Sequence, residues 1–196
     1  MGITPAVGNR VRERIARVLR ERSPDLAVDL REVRPREVAQ LLRDRKLDVV
    51  VARTEPDATG LDSAALAPTP ASLLVPAGHR LAPNDSVSLA DLDGERLLTW
   101  SPPGTAYTDL LVSRVTASGA RVEPVQAQVT GVNAPLALAE AGAVALMPEG
   151  WPAGDDAVVI KVVEQVNLPL LVIWLAGDQP SAVGQLRATL TTSPAG

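Results

Sequence analysis

The sequence predicts an α/β fold of two lobes, each a largely parallel sheet with crossover helices. Two observations predict it. Apolar runs at strand spacing alternate with apolar stripes at helical spacing in the order β-α-β-α-β, and that order occurs twice in 196 residues. The core is also of one chemical kind. With no Phe, one Tyr and three Trp, the 46% hydrophobic content falls mainly to Val, Leu, Ile and Ala, which suits strands buried on both faces.

The elements follow in order. Gly2-Ile3-Thr4 reads as a short first strand. Val7, Val11, Ile15, Val18 and Leu19 recur at helical spacing, while Arg10, Arg12, Arg14, Arg17 and Arg20 lie mostly off that stripe. This helix is expected to end before Ser23-Pro24, because proline disfavours helix in the residue before it. Leu26, Val28 and Leu30 alternate with Ala27, Asp29 and Arg31, the pattern of a half-buried strand. Pro35 is suited to open a second helix, with Val38, Leu41 and Leu42 inward. Residues 47–52 are an apolar run around Asp48, a buried strand, and residues 54–60 a polar loop.

The second unit opens with a strand at 71–75 that stops at Pro76. A turn through Pro83 leads to a short helix near 89–92 and a strand at 97–100. A tight loop at 101–105 precedes a helix at 106–118, which Gly119 stops. Val125, Ala127 and Val129 alternate as a strand. A loop at 130–133 leads into a helix through Ala141, and 143–147 is a buried strand ending at Pro148. Strands are expected at 157–163 and 170–175. The last helix spans 181–190 with Ala182, Leu186 and Leu190 on one face, and the tail 191–196 is expected to fray.

Several function classes drop out. There is no cysteine, hence no disulfide, thiolate metal site or Cys nucleophile. One histidine argues against a His metal cluster. No apolar run is long enough to span a membrane, and no secretory leader is visible at Met1-Gly2-Ile3-Thr4-Pro5. These features fit the cytoplasm. Neither a Gly-x-Ser-x-Gly elbow nor a phosphate loop nor a dinucleotide fingerprint occurs, so no enzyme, cofactor or metal is expected. Net charge is −4, with thirteen Lys and Arg against eight Asp and Glu in residues 1–54, and six against fifteen beyond. The basic stretch raises the question of nucleic acid. Its arginines are interleaved with acids on helix faces, however, and read as solvated.

Several local patterns, in order, resemble the effector-binding domain of LysR-type transcription regulators. Residues 19–26, from Leu19 to Leu26 through Pro24, resemble its "F…yP.v" passage, with Leu19 where an aromatic is common. Residues 41–51 resemble "L..G.lDlai" through Leu42, Leu47 and Asp48, with Arg45 where glycine is usual. Residues 74–82 resemble "lv.p.gHpLA" through Pro76, Gly78, His79 and Leu81, with Arg80 for the usual proline. Ser88-Leu89-Ala90-Asp91-Leu92 resembles the following "l.dL". Residues 141–148 resemble "aGlGialLP", one residue shorter and lacking the second glycine. Together these patterns span nearly the whole chain.

The resemblance implies two Rossmann-like lobes joined by crossover strands, the type 2 periplasmic-binding-protein-like fold. Lobe I would comprise 1–74 and 162–196, and lobe II 75–161. It implies a regulatory domain, not an enzyme, that binds a small polar or anionic effector in a cleft between the lobes. The implied partners are that effector and further copies of the chain in a homodimer or tetramer. DNA would be reached only through an N-terminal winged helix-turn-helix absent from this chain. A transport-type solute-binding protein is the alternative on the same fold. An enzyme of the prephenate dehydratase kind lacks its Thr-Arg-Phe motif here.

Ligands of open α/β sheets bind beyond the carboxyl ends of the strands. Four strand-to-helix loops are therefore candidates: Thr4, Pro5 and Ala6; Arg53; Ser101, Gly104, Thr105 and Tyr107; and Thr130, Gly131 and Asn133. Hydroxyls and free amides at helix starts favour a small anion, and Gly104 and Gly131 let a ligand approach the backbone. The competing reading makes Thr4, Thr105 and Asn133 plain helix N-caps and Arg53 a surface charge beside Glu55 and Asp57, to which the sequence leans slightly. Tyr107 and Trp100 offer stacking or packing surfaces, Trp151 has no assigned role, and His79 reads as structural.

Overall fold

The computed structural model of the chain describes residues 1–22, 28–127 and 134–190. The chain forms two compact units, one of Met1–Thr69 with Leu168–Gly196 and one of Pro70–Asn167. The sequence expectation placed these passages at 74/75 and 161/162. The first lies earlier because Ala71 and its successors already pair with strands of the second unit.

The first unit begins with β1 (Gly2–Ile3), a 3-10 turn at Pro5–Val7 and α1 (Asn9–Arg22). Gly8 separates turn from helix at φ 85°, a conformation that glycine adopts at no steric cost. Ile15, Val18 and Leu19 of α1 are buried as their spacing requires, and Val7 is buried ahead of them. β2 (Arg31–Glu32) is exposed and later than the expected alternation at 26–31, part of which lies outside the described residues. Pro35–Glu37 is a 3-10 turn, and α2 (Val38–Arg43) starts only after it. All four residues of β3 (Val49–Ala52) are buried. β4 (Leu61–Ala65) was not expected, because Leu-Asp-Ser-Ala-Ala has little strand propensity. It forms through pairing with a strand that lies more than a hundred residues later in the chain.

The second unit contains β5 (Thr69–Pro76), which starts at the boundary, β6 (Ser86–Val87), a 3-10 turn at Leu89–Leu92, and β7 (Arg96–Thr99). α3 (Ala106–Thr116), β8 (Glu123–Gln126), α4 (Ala134–Ala141), β9 (Ala145–Pro148) and β10 (Ala157–Val162) complete it. β5 runs antiparallel to β9 and β10, and β10 runs parallel to β6. β7 and β8 are parallel. Leu74, Leu98, Leu138, Ala145 and Met147 form an apolar core between these strands and α4. His79 is structural here: its Nδ1 accepts from the Leu81 amide at 3.3 Å and its Nε2 meets Glu95 at 3.2 Å.

The chain then returns through β11 (Asn167–Leu168) to β12 (Leu171–Leu175) and α5 (Ser181–Leu190). The first unit's sheet has the order β2-β1-β3-β12-β4. β1 is parallel to β2 and β3, while β12 is antiparallel to β3 and β4. Val51, Val172 and Trp174 join Ile15, Leu19 and Leu186 in one core beneath α1 and α5. The crossover rule thus orders the parallel strands, and the returning strand ties both ends of the chain into one unit.

Candidate functional site

In the first unit the candidate residues follow the carboxyl ends of β1 and β3. The Thr4 amide continues the sheet by donating to Val51 O at 3.0 Å, and Thr4 O accepts from the Val7 amide at 3.1 Å. Thr4 is 3% exposed and its hydroxyl makes no N-cap hydrogen bond. Pro5 sits at the start of the 3-10 turn, where its missing N–H costs nothing. Pro5 and Ala6 are half-buried.

Arg53 corrects an expectation. It is not a surface charge beside Glu55 and Asp57 but is 2% exposed. Its Nε donates to Ala6 O at 3.1 Å and its Nη2 to Val7 O at 2.8 Å. Its Nη1 reaches Thr69 Oγ1, Leu168 O and Pro169 O at 3.2, 3.3 and 3.0 Å. Burial of a cation is tolerated only where donors meet acceptors, and here the acceptors are mostly backbone carbonyls. The structure therefore brings Arg53 together with Ala6. Thr69, its hydroxyl partner, was not singled out in the sequence, since nothing local to it signals a partner sixteen residues away.

In the second unit the loop after β7 carries Ser101, Gly104, Thr105 and Tyr107. Ser101 O accepts from the hydroxyls of Thr99 and Thr108, both at 2.8 Å. Gly104 has φ 85°, and a Cβ there would meet open space, so its backbone is approachable. Thr105 occupies the N-cap position of α3 without capping it. Its hydroxyl instead donates to Pro102 O at 2.8 Å. Tyr107 is half-buried in the first turn of α3. Thr130, Gly131 and Asn133 lie outside the described residues.

Two residues at the start of α3 that hold this loop went unnoticed in the sequence. The Asp109 carboxylate accepts from the Gly104 amide at 2.9 Å, placing a negative charge in the first turn of α3. Its position four residues after Thr105 was the available signal. Thr108 is 1% exposed and anchors Ser101. Trp100, next to this loop, packs against Trp151 with ring centroids 6.2 Å apart and planes tilted by 44°. Both rings lie against the apolar core, so Trp151 is a packing residue and Trp100 is at least partly one.

A hollow of about 520 Å³ lies elsewhere in the first unit. Leu47, Asp48 and Val49 line it, near the start of β3, with Arg45 and Asp178 on its rim. It sits at the end of the strands opposite to where ligands of such sheets bind. No helix among the described residues is long and apolar enough to cross a membrane, and none of them form a cluster of His, Cys, Asp or Glu that fits a metal ion.

A family model described as the LysR substrate binding domain matches residues 1–194. The chain belongs to that family. The LysR match favours the effector-binding domain of a regulator over a transport-type solute-binding protein, and the fold is the type 2 periplasmic-binding-protein-like one that the resemblance implied. Solved structures agree. The oxidised form of OxyR is 21% identical and aligns over 97% of this chain and 92% of that one, with a TM-score of 0.75. CbnR, a LysR family transcriptional regulator, is 21% identical over 96% of this chain and 67% of that chain, with a TM-score of 0.76. The effector binding domain of QuiR in complex with shikimate is 11% identical over 97% and 93%, with a TM-score of 0.75. At such identities the likeness is one of fold. A comparison with curated proteins finds no match.

Proposed function

We propose that this LysR-family domain senses a small polar or anionic molecule through the loops that follow the carboxyl ends of its strands. The proposed loops are Thr4, Pro5 and Ala6 in one unit and, separately, Ser101, Gly104, Thr105 and Tyr107 in the other. Thr130, Gly131 and Asn133 join them on sequence grounds. Arg53 serves the first loop indirectly, by holding the turn that contains Ala6. The match over residues 1–194 carries this reading, and the approachable Gly104 backbone supports the loop. Because Asp109 already sits at the start of α3, that loop suits a hydroxyl or amide of the effector better than its carboxylate.

The bound state would be passed on by a shift between conformational states. The domain works without covalent chemistry, in the cytoplasm, as a homodimer or tetramer, and reaches DNA through a separate winged helix-turn-helix domain. That a protein of this fold takes shikimate supports a small-molecule effector.

The test is a thermal-shift screen against small carboxylates, aromatic acids including shikimate, amino acids and sugar phosphates, repeated with Thr105→Ala and Asn133→Ala. A ligand at 100 times its Kd adds about 2.7 kcal/mol of stability. The proposal expects one compound class to stabilise the wild type and to lose that effect in both variants. Equal stabilisation of all three proteins would move the site elsewhere.

A further inference from the structure

We infer that Arg53 is a positioning residue that couples the Thr4–Val7 segment to both passages of the chain between the two units. Its guanidinium serves two groups of acceptors from two sides. The Nε and Nη2 edge donates to Ala6 O and Val7 O, the successive carbonyls at the end of the 3-10 turn. A cation there also complements the carbonyl end of the turn. Nη1 donates to Thr69 Oγ1, Leu168 O and Pro169 O. Thr69 and Leu168 are the two residues at which the chain leaves and re-enters the first unit. One planar group thus joins three stretches far apart in sequence: the turn after β1, the start of β5 and the β11–β12 connection.

The choice of residue fits that task. A lysine ammonium is a compact charge on a flexible stem and cannot present a rigid fork to two sides at once. An apolar side chain would fill the space and leave buried carbonyls without donors, which is costly. Displacing the turn by a few tenths of an ångström must move the guanidinium, and the guanidinium holds both passages. The inference rests on the proposed role of Thr4, Pro5 and Ala6 only where it gives the coupling a use. The coupling itself is a property of the domain without ligand.

The experiment is amide hydrogen exchange on the ligand-free domain, comparing wild type, Arg53→Lys and Arg53→Met. Reporters on the turn are the Val7 and Gly8 amides, which donate to Thr4 O and Pro5 O. Reporters on the passages are the Leu66 and Ala71 amides, which donate to Leu170 O and Val166 O. Both variants are expected to exchange about tenfold faster at all four positions. The ladder between β4 and β12 should keep its wild-type protection. If Arg53→Met does not fold, Arg53→Lys keeps the charge and carries the test. Loss confined to the turn overturns the inference, as does uniform loss that includes the β4–β12 ladder, and so does wild-type exchange in Arg53→Lys. Joint loosening combined with a failed ligand screen would leave the coupling in place and remove the effector role of the turn, so the two readings fail separately.

Discussion

The carboxylate of Glu164 accepts from the Ser88 hydroxyl at 2.6 Å and from the Leu89 amide at 3.0 Å. It thereby closes the start of the 3-10 turn at Leu89–Leu92, whose other orphan groups are met by the Ser88–Asp91 capping box. Burial pushes the Glu164 pKa up, but hydrogen bonds from Ser88, its own amide and Leu89 outweigh it and hold the pKa below the usual glutamate value. A depressed folded pKa contributes stability above the unfolded pKa, and that stability is lost as pH falls through the folded value. Glu164→Gln should therefore cost about 1 kcal/mol near neutral pH. The gap to wild type should be smaller at about pH 3 than at pH 7, because it is lost as pH falls below the unfolded pKa and through the folded one. Urea melts of the two proteins at both pH values check this, and a gap that widens in acid would contradict it.

Arg45 adopts φ 52°, the one non-glycine residue at positive φ among those described. It stands where the family pattern has glycine, and the backbone still makes the turn that glycine serves. Its side chain reaches Asp178 at 2.8 Å, an exposed pair. A left-handed residue costs about 1–2 kcal/mol, and an exposed ion pair returns about 0–1 kcal/mol. Arg45→Gly should therefore raise the melting temperature by about 2 °C, and Asp178→Ala should leave it nearly unchanged. Calorimetry of both variants decides. A lower melting temperature for Arg45→Gly would mean that the ion pair outweighs the strain.

Gly2 is required by packing. A Cβ added there would lie 2.8 Å from Leu47 Cδ1 and 3.0 Å from the Cγ2 atoms of Val33 and Val50. All three side chains are buried in the core, so little relief is available. Gly2→Ala should destabilise the domain by about 1–3 kcal/mol through overpacking. A denaturant melt with an unchanged slope would confirm that the native state alone is affected.

The sequence carried β3, β5, β7, β9, β10 and β12 because their apolar runs are strong and local, but it set β2 too early and missed β6, each of two residues. It missed β4 because Leu61-Asp62-Ser63-Ala64-Ala65 becomes a strand only by pairing with β12, a contact no local window contains. Loop positions after β1 and β7 were legible from the strand-to-helix order. Hydrogen-bond roles there were not. Thr105 has the residue type of an N-cap, yet its hydroxyl turns to Pro102 O. Arg53 sits in a charged local stretch, yet its partners are up to 116 residues away. Side-chain identity sets what a group can bond, and tertiary packing sets which partner it meets.

The loop after β7 is held by two hydroxyls on one carbonyl. Thr99 and Thr108 both donate to Ser101 O, and both are 1% exposed. Removing either hydroxyl leaves the carbonyl with one donor, so Thr99→Val and Thr108→Val should each cost about 1 kcal/mol. Removing both takes away the two hydroxyl donors of this part-buried carbonyl, and a group left without a protein partner costs more than the sum of its bonds lost singly. The double variant should exceed the sum of the single costs by about 0.5 kcal/mol or more. A double-mutant cycle by urea denaturation measures this directly. Strict additivity would mean that water replaces the lost donors, and the loop would then be wetter than its two buried threonines indicate.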